Sequence, residues 1–136
     1  MREGGKMSKY LLPLPLMLVA GCASLNYSSS YVDQHVTQAD IQLIAHDFVR
    51  NLKHSLPPAK TTLIVKKSKI EDNFTPLFID LLQRNGYCVI YTDQPNRYQN
   101  GVKLTYQIMP INIGILSTVY YDEAGVTRYY VRTYKR

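Results

Sequence analysis

Three histidines, two cysteines and ten acids are the groups that could carry acid–base, nucleophilic or metal chemistry in this 136-residue chain. His46 and His54 stand two helical turns apart, whereas a metal-sharing pair needs one turn, and no Cys or acid cluster completes a ligand set with them or with His35. Asp47 follows His46 directly and so points about 100° away from it on a helix. The acids sit singly apart from Glu71-Asp72 and Asp122-Glu123, both at loop or cap positions where solvated carboxylates are expected. The seven glycines mark turns and form no phosphate-cradling loop, and no serine lies in a nucleophile elbow. The expectation is therefore a protein that is not an enzyme, with no cofactor, no metal and no small-molecule substrate.

The two thiols differ in context. Cys22 closes the segment Leu18-Val19-Ala20-Gly21-Cys22, which resembles the bacterial lipobox. Before it come Arg2, Lys6 and Lys9, then an apolar run from Tyr10 to Ala20 interrupted by Pro13 and Pro15. That run is far below the roughly 20 residues a spanning helix needs, so it reads as a signal peptide over residues 1–21. Met7 would serve as a start equally well, since the signal is complete without residues 1–6. The lipobox implies diacylation of the Cys22 thiol (palmitate-type chains), cleavage after Gly21 and acylation of the new amine. Several acyl chains make a stable anchor where one does not, each buried CH₂ contributing about 0.8 kcal/mol. Ala23 and Ser24 follow, and no Asp stands next to Cys22 to signal inner-membrane retention. By that analogy the protein is lipid-anchored in the outer membrane and faces the periplasm. Cys88 sits in a strand-like run, where two readings stay open: a small buried hydrophobe, or a thiol that pairs with another subunit.

Residues 22–36 show neither helical nor strand periodicity and read as the lipidated Cys with a flexible tether, leaving residues 37–136 as one α+β periplasmic domain. Thr37-Gln38-Ala39-Asp40 is a capping box. Ile41, Ile44, Ala45, Phe48, Val49, Leu52 and Leu56 then fall on one helical stripe, and Pro57-Pro58 ends it, so the spacing predicts a helix over 38–55. Residues 61–66 read as a strand. A second helix starts between Asn73 and Pro76 and ends at Asn85-Gly86, and residues 87–91 read as a strand that can lie parallel to the first. After a polar loop to Gly101, three strands follow, over about 102–108, 113–121 and 126–134, with a turn at Asp122–Gly125. The fold class is α+β: two helices packed on one face of a small mixed, mainly antiparallel sheet of about five strands.

Tyrosine dominates the aromatic content, with 12 Tyr against 3 Phe and no Trp. The doublets Tyr120-Tyr121 and Tyr129-Tyr130 must put one ring on each face of their strands. Together with Arg128 and Arg132 they form a candidate interface, although cross-strand packing within the sheet would explain the rings equally well. The +6 net charge does not require nucleic acid. A signal peptide removes Arg2, Lys6, Lys9 and Glu3, and cations on a terminal strand can meet anionic headgroups, meet an acidic partner or guard an edge.

Four segments together resemble the TrbH family, small lipoproteins of conjugative type IV secretion operons. They are the lipobox at Cys22, Leu56-Pro57-Pro58-Ala59-Lys60-Thr61, Leu82-Gln83-Arg84-Asn85-Gly86-Tyr87-Cys88-Val89 and Val126-Thr127-Arg128-Tyr129-Tyr130. Their order and spacing carry the resemblance more than any one motif. What it implies is a structural or assembly subunit of the mating-pair-formation apparatus, anchored in the outer membrane and docked on other secretion-channel proteins, with no direct nucleic-acid binding. Of functional residues it carries over only Cys22. The element order is also similar to the compact module of DotD-like lipoproteins. The alternative from the residues alone is a periplasmic lipoprotein that binds other envelope components, such as peptidoglycan.

Overall fold

The apolar stripe from Ile41 to Leu52 is the inner face of α1 (Gln38–Ser55) in a computed structural model, which describes residues 30–135. The capping box forms as the sequence predicts: Thr37 Oγ1 accepts the Asp40 N–H at 3.2 Å and Asp40 Oδ2 accepts the Thr37 N–H at 3.1 Å. At the other end Leu56 leaves helical geometry, and Pro57-Pro58 leads into a short 3-10 turn over Pro58–Lys60. The second helix, α2 (Phe74–Arg84), is capped by Asp72, whose carboxylate accepts both the N–H and the hydroxyl of Thr75 at 2.6 and 2.9 Å. Its C-terminus closes through Gly86, at φ +97°, with Gly86 N–H on Gln83 and Tyr87 N–H on Leu82.

Among the described residues six strands form one mixed sheet: β1 (Tyr31–Val32), β2 (Thr62–Lys66), β3 (Cys88–Thr92), β4 (Val102–Ile111), β5 (Gly114–Glu123) and β6 (Val126–Lys135). The order is β3-β2-β4-β5-β6, and β1 pairs β4 beyond the end of β2. The β1, β2 and β3 ladders are parallel and short, whereas the β4-β5-β6 meander is antiparallel over nearly its whole length. The helix α2 supplies the crossover that parallel β2 and β3 require. Both helices cover the face carrying Leu63, Val65, Leu104, Tyr106, Ile108, Ile115 and Val119, all buried. At the centre all three Phe residues and Tyr106 meet edge-on, tilted or stacked, with centroids 5.1–5.9 Å apart. The buried Tyr106 hydroxyl is hydrogen-bonded to Thr75 Oγ1.

Two expectations change. The tether predicted over 23–36 reaches less far, because residues 30–36 belong to the domain. Tyr31-Val32 pair with β4, Val32 and Val36 are buried, and Ser30 Oγ donates to Lys66 O at 2.9 Å while accepting the Tyr106 N–H. A two-residue strand is too short to carry a period, which is why the sequence does not show it. Cys88 is exposed rather than buried. It opens the edge strand β3 on the face away from the helices, opposite Thr62. The signal segment, Cys22 and residues 23–29 lie outside the described residues.

Candidate functional site

The β5–β6 hairpin positions all six candidate interface residues. It turns through Ala124 and Gly125, whose φ values of +52° and +80° give the two left-handed positions of a tight hairpin turn. The resulting register sets Tyr120 opposite Tyr129 and Tyr121 opposite Arg128. The six therefore split between the two faces. Tyr120 and Tyr129 lie on the face away from the helices with ring centroids 6.1 Å apart, a cross-strand pair in which Tyr129 stays 66% exposed. Tyr121 is buried in the core. Arg128, opposite Tyr121, is on the helix side of the sheet and pairs with Glu123 at 3.2 Å. Tyr130 and Arg132 turn toward α1. The six do not form one continuous surface.

What the helix-facing set reaches is Asp47, a carboxylate only 4% exposed on α1. Tyr130 Oη donates to it at 3.0 Å and Tyr134 Oη at 2.5 Å. Arg132 Nη1 donates at 3.2 Å and Arg50 Nη1 at 3.1 Å. Burial, then the hydrogen bond to Asp47, raises the Tyr134 pKa, while the hydrogen bond to Tyr130 and then the negative charge of Asp47 hold the Arg132 guanidinium more firmly charged. Three of these four donors come from β6, so one carboxylate latches that strand onto α1. Asp47, Arg50 and Tyr134 are the residues that the sequence reading missed. A clue was present: an acid bordering the apolar stripe, and Tyr130, Arg132 and Tyr134 at alternate positions of one strand.

Above the latch, a surface depression of about 560 Å³ is lined by His46, Arg50, Lys53, His54 and Arg132, giving α1 a basic outer flank. His46 and His54 are exposed and His35 is bonded to Asp33 at 2.9 Å. On the opposite face a cleft of about 640 Å³ lies between residues 93–97 and strands β4 and β5. Its two lysines are engaged by its own loop, Lys66 Nζ on Asp93 O at 2.9 Å and Lys103 Nζ on Asn96 Oδ1 at 3.1 Å. Neither His nor Cys lines it. Among the described residues no group of three or more His, Cys, Asp or Glu is arranged to hold a metal ion, and no helix is long and apolar enough to cross a membrane.

No curated protein and no solved structure gives a match. A family model described as conjugal transfer protein TrbH matches residues 23–136. That span takes in the whole described domain and three of the four segments on which the resemblance rests, so the chain belongs to the TrbH family of conjugal transfer proteins.

Proposed function

We propose that the protein is a non-enzymatic structural subunit of a conjugative type IV secretion apparatus, held to the inner leaflet of the outer membrane by acyl chains on Cys22. The observation that carries this reading is the family match, which begins at residue 23, immediately after the lipobox cysteine. Because the sheet already includes Tyr31, only residues 23–29 separate the lipidated Cys from the domain. Seven residues extend at most about 25 Å. The domain consequently works close to the membrane surface, and its partners are proteins that reach that leaflet. The surface features that support docking are the exposed Tyr129 and the basic flank of α1.

Growth with a clickable palmitate analogue, membrane fractionation and affinity purification of the labelled protein test the reading together. The expected result is label on the full protein, recovery with the outer membrane, and co-purification of other transfer-system proteins. An unlabelled protein, or a labelled one that brings down no transfer component, contradicts it.

A further inference from the structure

We infer that the outer edge of β6 takes an added strand from another protein, an extended segment whose residues alternate between acidic and apolar. Among the described residues β6 pairs only with β5, so ten residues of strand leave one row of N–H and C=O groups without a ladder. Such a row is a template for strand addition. The other edge strand, β3, has half the length.

The two faces of β6 set the chemistry of the occupant. On the face away from the helices stand Tyr129 and Val131, 66% and 51% exposed, beside the half-buried Leu116 and Tyr120 of β5. Alternate side chains of an added strand on that side meet apolar surface. On the helix face the same strand meets Arg128 and Arg132, with Arg50 and His46 of α1 alongside. Arg128 is shared with Glu123, and Arg132 and Arg50 with Asp47, but each guanidinium keeps a solvent-exposed flank. Arg132 uses Nη1 alone for Asp47 and Tyr130, leaving the rest of its fork for an incoming carboxylate.

A second copy of this chain fits poorly. Antiparallel self-pairing of β6 about Tyr130 sets Arg128 against Arg132, and parallel in-register pairing stacks each cation on its copy, with no acid in either strand. The same cations that discourage self-pairing favour a strand that carries Glu or Asp.

The inference rests on the sheet alone and does not depend on the secretion reading. Its probe is a ten-residue peptide of alternating Glu and Val, blocked at both ends, titrated into the full chain in detergent. The expected result is slowed hydrogen exchange at β6 amides and saturable binding. Affinity should fall at least tenfold when alternate peptide nitrogens are methylated, because composition and charge stay the same while the ladder is lost. It should fall comparably for a Lys-Val peptide, and severalfold in Arg128→Ser protein, whose exposed side chain lies on the helix side and can change without disturbing the core. Equal binding of the methylated peptide, protection away from β6, no binding at all, or self-association through β6 would each overturn it.

Discussion

Asp47 shows how one residue can decide the position of a strand. Its carboxylate is buried and takes bonds from Tyr130, Tyr134, Arg132 and Arg50, three of them on a strand more than 80 residues away. Replacing it with Ala leaves those donors facing a gap, and the expected loss is about 2–3 kcal/mol in urea unfolding, with β6 amides exchanging faster than those of β4. The tyrosines give a pH signature. Burial pushes Tyr87 up to about 12, and Tyr106 and Tyr134 move in the same direction. Below pH 10 both folded and unfolded chains keep these protons, so the stability is fully present. Between about pH 10 and 12 the unfolded chain ionises first and stability falls. Tyr87→Phe should flatten that alkaline loss while costing about 1 kcal/mol at neutral pH, where the hydroxyl donates to Leu56 O at 2.6 Å. Denaturant melts at pH 7 and pH 11 separate the two effects.

At the scale of elements, α1 was legible because every local signal agrees: capping box, seven-residue apolar stripe and the Pro57-Pro58 stop. The α2 crossover, the parallel β2–β3 pair and the meander were legible for the same reason. β1 was not, because two residues have no period. Nor was the exposure of Cys88, because the face of an edge strand is set by its neighbours rather than by its own alternation. The tyrosine doublets told that the rings divide between faces, but not which ring α1 would claim. Asp47 was hidden because its partners are distant in the chain. A tight spot in the meander yields another test. A Cβ on Gly114 would lie 1.9 Å from Tyr134 O, so Gly114→Ala must push β5 and β6 apart at the latch end. The expected cost is about 2–3 kcal/mol, visible as a lower thermal midpoint. Truncating Phe48 at the aromatic centre should cost about 3–5 kcal/mol by the same measurement.

On the scale of the whole molecule, the fold separates three surfaces. The helix layer carries a basic flank, the opposite sheet face carries Tyr129 and Val131, and β6 offers its long edge between them. On the proposed reading Cys22 carries the lipid, and the seven residues 23–29 would keep it within a few nanometres of these surfaces. In a member of a conjugal transfer family, that arrangement suits a subunit whose work is to be in the right place. The most direct test is the frequency of plasmid transfer from donors in which Cys22→Ser replaces the native protein, with fractionation to show that the variant accumulates. The expected result is normal abundance, release into the periplasm and loss of transfer. Wild-type transfer frequency by the released protein would contradict the anchored-subunit reading.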